Sequence, residues 1–180
     1  MRPLAFVFIF LPLVRGRSLM NLFFSLLKKV EIFFTVLFLA TFSIISFAQV
    51  VFRVFLNNPL AWSEEASIFL FIWSVFLGAV LVFSHNEHFR VDFIVNLFPP
   101  KGQMILKYIN WIFVGIFSVI LLIFGWRIML INANRITPAL QISQMYVYAV
   151  IPLNGLLVLL HLIEQIWNDF TGQKEKKEDA

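Results

Sequence analysis

The chain has 180 residues, 61% hydrophobic and 13% charged, where a soluble domain is nearer half apolar and a quarter charged. Its net charge of +4 is spread over segment ends, which argues for a membrane topology signal and against a nucleic-acid partner. There is no cysteine, so disulfide exchange, thiolate nucleophiles and cysteine-ligated metals are excluded.

Residues 1–29 open with "RPLAFVFIFLPLV", which is apolar but too short to span a bilayer, and Arg15 and Arg17 follow it. A secretory leader would place a small-residue cleavage site after such a core, and "RGRSLMNLFF" offers a poor one. The segment reads as an interfacial extension, or as one whose true start is Met20. "NLFFSLLKKVE" would then form a short amphipathic helix on the inner leaflet, with Lys28 and Lys29 facing lipid phosphates.

Four uncharged runs meet or approach the ~20 apolar residues that cross hydrocarbon as a helix: Ile32–Phe52, Ala66–Ser84, Tyr108–Trp126 and Ile136–Leu160. Open strand edges cannot be left in lipid, so these runs read as helices. The expected fold is an all-α integral membrane domain over residues 30–168, with spans at about 30–53, 64–84, 105–127 and 142–167 and short interfacial amphipathic helices. A charged tail occupies 169–180. With both termini inside, Arg15, Arg17, Lys28, Lys29, Arg90, Lys101, Lys107, Lys174, Lys176 and Lys177 lie on the inner side, against Arg53, Arg127 and Arg135 outside. That is a positive-inside bias. Trp62 and Trp126 then fall at the outer interface and Trp111 and Trp167 at the inner one.

Arg53 closes the first span, and Asn57, Asn58 and Pro59 stop its helix. Ser63 is placed to cap the second, which puts Glu64 and Glu65 in its first turn. There the helix dipole favours anions, and the pair avoids the ~2.5–3.5 kcal/mol cost of an acid at mid-helix. Neighbouring helical residues point about 100° apart, so the two cannot grip one small substrate as an acid–base pair. Arg53, at the same depth, could reach Glu64 or a charge on another subunit. Along the second span Ser74 and Gly78 form a small-xxx-small pair, and Gly115 and Ser118 line part of the third. The inner linker "HNEHFRVDFIVNLFPPKG" suits a surface-lying helix ended by Pro99 and Pro100. Its His85, Glu87, His88 and Asp92 are metal-ligand types without a closed set, and read as that helix's polar face.

Pro152 predicts a kink inside the fourth span. His161 and Glu164 share a helical face near its inner end and read as polar anchoring there. A haem held between His85 or His88 and His161 is an alternative, as is a small autonomous transporter or channel. No phosphate-cradling glycine loop and no Ser–His–Asp set is present. Nor do the spans carry the acidic or broken-helix features of an ion-coupled transporter.

An arginine closing the first span, then "WSEEASIFLFIWSVFLGAV", then "HFRVDFIVNLFP" resembles the small, Q-type (DctQ-like) membrane subunit of tripartite ATP-independent periplasmic (TRAP) transporters. Arg53, Trp62, Glu64, Glu65, Trp73, Gly78, His88, Val91, Asp92 and Pro99 carry the resemblance, which covers roughly Lys29 to Trp167. Family members often have Arg and Gly before the histidine motif, where this chain has Ser84, His85 and Asn86. The resemblance implies a bacterial inner-membrane protein, both termini cytoplasmic, in a heterodimer with a larger membrane subunit. That subunit would hold the substrate and sodium sites and move as an elevator, while a periplasmic binding protein delivers an organic acid. The small chain would brace the static scaffold among membrane lipids, with no cofactor and no catalytic, substrate or metal residues of its own. Arg53, Trp62, Glu64, Glu65, Trp73, Gly78, His88 and Asp92 become candidates for structural or partner-interface roles.

Overall fold

The computed structural model describes residues 4–58, 60–84 and 100–171. Its helices are α1 (Leu4–Phe55), α2 (Ala61–Ser84), α3 (Pro100–Ile131), α4 (Met145–Tyr148) and α5 (Val150–Phe170). Four stretches are long and apolar enough to cross a membrane: Met20–Phe55, Ala61–Ser84, Gly102–Ile131 and Met145–Asp169. These are the four expected spans, the last made of α4 and α5 together. Among the described residues there is no strand, only an isolated bridge between Ile136 and Ser143 in the connection after α3.

The first helix departs from expectation. The residues expected to form a separate surface-lying helix, Asn21 to Glu31, belong to α1, which runs unbroken for 52 residues. At 1.5 Å per residue that is about 78 Å, more than twice the ~30 Å hydrocarbon thickness. No glycine or proline lies between Met20 and Phe55 to interrupt it. At its far end Asn57 takes a left-handed conformation, φ 47°, which asparagine tolerates, and the Asn58 amide bonds back to the Phe52 carbonyl at 3.3 Å. The next helix then starts at Ala61, three residues earlier than the expected Glu64. Ser63 is therefore not its cap, and its hydroxyl donates to the Leu60 carbonyl at 2.6 Å.

The fourth span breaks at Ala149, three residues before Pro152. The proline ring has no amide for the Tyr148 carbonyl, so the helix gives way one turn upstream.

Two antiparallel pairs build the bundle, α1 against α2 and α3 against α5, and α2 joins them by packing on α5. Ser46 faces Ser67 at 3.5 Å and Phe42 faces Phe71, which fixes the register of the first pair. Leu77 and Val80 of α2 meet Leu157 and Val158 of α5 in the core, flanked by Leu27, Phe38, Trp73, Phe83 and Val114. Helices in lipid gain no hydrophobic driving force from meeting, so close van der Waals approach has to hold them. The approach is closest between α3 and α5. A Cβ added at Gly155 would lie 2.7 Å from the Ser118 carbonyl oxygen and 2.8 Å from the Leu122 nitrogen. One added at Gly125 would lie 2.7 Å from Ile151 Cγ2 and 2.9 Å from the Pro152 nitrogen. The outward faces of α1 and α3, with Phe33, Ile44, Phe47, Ile112, Phe113 and Phe117, stay exposed, as lipid-facing surfaces should.

Candidate functional site

The two adjacent glutamates of α2 have different fates. Glu65 accepts the Ala139 amide at Oε1, 2.9 Å, and the Leu140 amide at Oε2, 2.8 Å. The connection after α3 offers these two amides because it is folded upon itself. Thr137 and Ile142 pair at 2.9 Å, the Gln144 amide reaches the Arg135 carbonyl at 2.8 Å, and Gln141 turns the chain with φ 54°. Pro138 supplies no amide, so Ala139 and Leu140 are the first donors of the turn. Successive amides of this kind make an anion-binding concavity, here filled by a side chain of the same protein. Glu64 lies exposed beside it. Arg53 is also exposed, and no ion pair joins it to Glu64 among the described residues.

Glu65→Ala is expected to speed amide exchange at Ala139 and Leu140 by roughly tenfold or more and to open the 133–144 connection to proteases, because two charge-assisted bonds are lost together. Glu64→Ala should leave both readouts unchanged. Exchange mass spectrometry on the two variants checks this.

Trp73, further along α2, donates its indole N–H to the Tyr146 carbonyl at 3.0 Å and packs edge-on against Phe38, with ring centroids 5.8 Å apart. With Phe69 and Leu70 these residues line an open apolar groove of about 210 Å³. Gly78 is not a tight contact, since a Cβ there would meet only Thr35 Cγ2 at 3.9 Å. Trp62 is exposed near the start of α2. His88 and Asp92, with His85 and Glu87, lie outside the described residues.

A polar stripe on α5 does most of the side-chain bonding between helices. Asn154 donates to the Phe76 carbonyl and Gln165 to the Phe83 carbonyl, at 3.2 Å in the second case. Both bonds end on backbone oxygens of α2, two turns apart. Between them sits His161, with no exposed surface. Its Nε2 lies 3.0 Å from each oxygen of Glu31, and its Nδ1 lies 3.1 Å from Glu164 Oε2. Glu164 Oε1 in turn accepts from Lys28 Nζ at 3.1 Å. Lys28 therefore faces a carboxylate and not the lipid phosphates expected of it. Lys107 of α3 pairs with Asp169 of α5.

The expected helix-end anchoring by His161 and Glu164 is thus a buried contact with α1. Glu31, only 3% exposed, was not among the expected residues. A signal was present in the sequence: Lys28 with Glu31, and His161 with Glu164, are both i, i+3 pairs of ionisable groups on their helices. Both imidazole nitrogens are engaged by carboxylates, so neither is free to ligate a haem iron in this arrangement.

The family model for the DctQ component of tripartite ATP-independent periplasmic transporters matches residues 42–172. The chain belongs to that family. Among DctQ-related proteins, a Haemophilus influenzae chain named as a TRAP transporter small permease is 37% identical over 139 residues, 75% of this chain and 86% of its own length. The Vibrio cholerae C4-dicarboxylate TRAP transporter small permease protein DctQ is 28% identical over 99 residues, 55% of this chain and 43% of that one. The Haemophilus influenzae sialic acid TRAP transporter permease protein SiaT is 33% identical over 138 residues. The match takes up 76% of this chain but 22% of SiaT. As a DctQ-family member the chain is a small permease subunit, and its four apolar helices make it a multi-pass membrane protein. Glu65, Trp73, Asn154 and the α5 half of the ionic network fall within the matched stretch, while Lys28 and Glu31 precede it.

Proposed function

We propose that this chain is the stationary brace of an inner-membrane TRAP transporter with both termini in the cytoplasm. It enlarges the scaffold of a sodium-coupled elevator subunit that takes up an organic acid from a periplasmic binding protein. The observation that carries this reading is where the polar groups of the described bundle are spent. Trp73, Asn154 and Gln165 bond to backbone carbonyls of neighbouring helices, Glu65 holds the connection after α3, and Glu31, His161, Glu164 and Lys28 neutralise one another. Groups used this way stiffen a block of helices. The apolar faces of α1 and α3 then offer surface to a larger subunit and to lipid. In SiaT-like permeases a matching stretch occupies 22% of one longer chain, which supports a partner of that larger kind here.

Proteoliposomes test the reading. The chain alone is expected to move no solute. Reconstituted with its large membrane subunit and a binding protein, it should support uptake that stops when the inward sodium gradient is collapsed. Binding-protein-independent flux through the chain by itself would overturn the proposal.

A further inference from the structure

Lys28, Glu31, His161 and Glu164 form a closed set of two acids and two bases where α1 enters the bundle and α5 leaves it. His161 has no exposed surface and the Glu31 side chain is 2% exposed, so water does not screen their contact. The geometry suits a doubly protonated ring. A neutral imidazole carries one N–H, yet both ring nitrogens face carboxylate oxygens at 3.0–3.1 Å. Both Glu31 oxygens stand 3.0 Å from Nε2, the symmetric arrangement of one N–H shared by an ionised carboxylate. Glu164 meanwhile accepts from Lys28, which keeps it ionised as well. Imidazolium, ammonium and two carboxylates sum to zero.

We propose that this quartet is a proton-held clasp between α1 and α5. With the proton on His161 the site is neutral and α1 is fixed to α5. When the proton leaves, one N–H serves two carboxylates, the site carries a net negative charge, and the stretch of α1 around Phe24 to Thr35 separates from α5. The ligand of the site is the proton, and the alkaline side is the releasing one. No other described charge takes over the imidazolium's part. The ionisable groups of α2, Glu64 and Glu65, lie at the opposite end of the bundle. From α3, Lys107 is paired with Asp169, two turns beyond His161 along α5. Lys29 on α1 is exposed, and the Phe24 ring lies 6.0 Å from the imidazole and carries no charge.

The test uses the full chain in lipid nanodiscs, and its readouts do not depend on the transport reading. Nitrogen-15 spectra, with the His161 signals assigned by their loss in His161→Gln, should show both ring nitrogens protonated at about pH 7. Raising the pH from ~7 to ~9 should increase amide exchange over residues 24–35 roughly tenfold or more beyond the base-catalysed change in unstructured amides. His161→Gln should be open already at neutral pH. The double variant Glu31→Gln with His161→Gln retains a neutral Lys28–Glu164 pair, so it should recover protection relative to the single variant and lose the pH dependence. A neutral His161 tautomer at neutral pH overturns the proposal. So does a wild-type exchange profile that is flat with pH, or a double variant as open as the single one. The first two readouts need no variant to fold beyond the one used for assignment.

Discussion

Gly155→Leu is expected to lower the thermal unfolding midpoint of the purified chain further than removal of any one hydrogen bond between its helices, and to separate α3 from α5. The cause is that the obstacle is backbone. The first added carbon would already stand 2.7 Å from the Ser118 oxygen and 2.8 Å from the Leu122 nitrogen, and neither can swing aside as a side-chain end would. Overpacking a well-packed contact costs about 1–3 kcal/mol, and more when the backbone itself has to move. By contrast, hydrogen bonds between membrane helices average about 0.6 kcal/mol in double-mutant cycles, because the opened state finds other partners. Asn154→Leu, which loses the bond to Phe76, should therefore cost less than Gly155→Leu although both positions sit at helix contacts. Gly78→Ala is the control, since its new carbon meets Thr35 at an ordinary 3.9 Å and should change little. Fluorescence-monitored unfolding of the three variants in one detergent ranks them. A midpoint for Gly155→Leu equal to that of Gly78→Ala would remove close approach as the basis of the α3–α5 pair.

That ranking also shows why part of the structure could be read from the sequence and part could not. Apolar runs of about 20 residues have one solution in lipid, so the four spans were legible from run length alone. The choice of tight glycine was not. The small-xxx-small spacing marks Ser74 and Gly78, yet the close contacts fall at Gly125 and Gly155, because spacing along one helix does not say which face meets a neighbour. The role of Glu65 was hidden for a related reason. Its partners are two backbone amides 74 and 75 residues away, and amides carry no residue-type signature. Ser63 missed its expected capping role because the helix begins three residues before Glu64, which places the serine inside the first turn. Glu31 was overlooked because the lysines beside it suggested a helix lying on the membrane. Its burial follows from α1 continuing straight through that point and from the register of α5, both properties of the assembled bundle.

The ionic quartet gives the second large effect, in which one substitution and four should have opposite consequences. Glu31→Ala alone leaves an imidazolium buried with one carboxylate fewer, and is expected to cost about 3–5 kcal/mol, the usual penalty for breaking a buried ion pair. Replacing the whole set with apolar residues of similar size, Lys28→Met, Glu31→Met, His161→Phe and Glu164→Leu, removes every charge that had to be desolvated. The unfolding midpoint of that variant should equal or exceed the wild type, since buried ion pairs seldom outperform well-packed hydrocarbon. The charges would then serve register more than stability. The α1–α2 contacts hold α1 further along, at Phe42 and Ser46, so the charges act on its inner stretch. There a local slide of one turn, about 5.4 Å, would cost an all-apolar contact with α5 little. The same slide in the wild type would pull four charges out of their pairings. Because the natural chain has no cysteine, pairs introduced across the α1–α5 contact report this directly. In the wild type only a pair placed in register should form a disulfide. In the apolar variant a pair displaced by one turn should cross-link at a comparable rate, even though that protein melts no earlier. Strict register in the apolar variant would show that packing alone aligns the two helices and that the charges are kept for the proton.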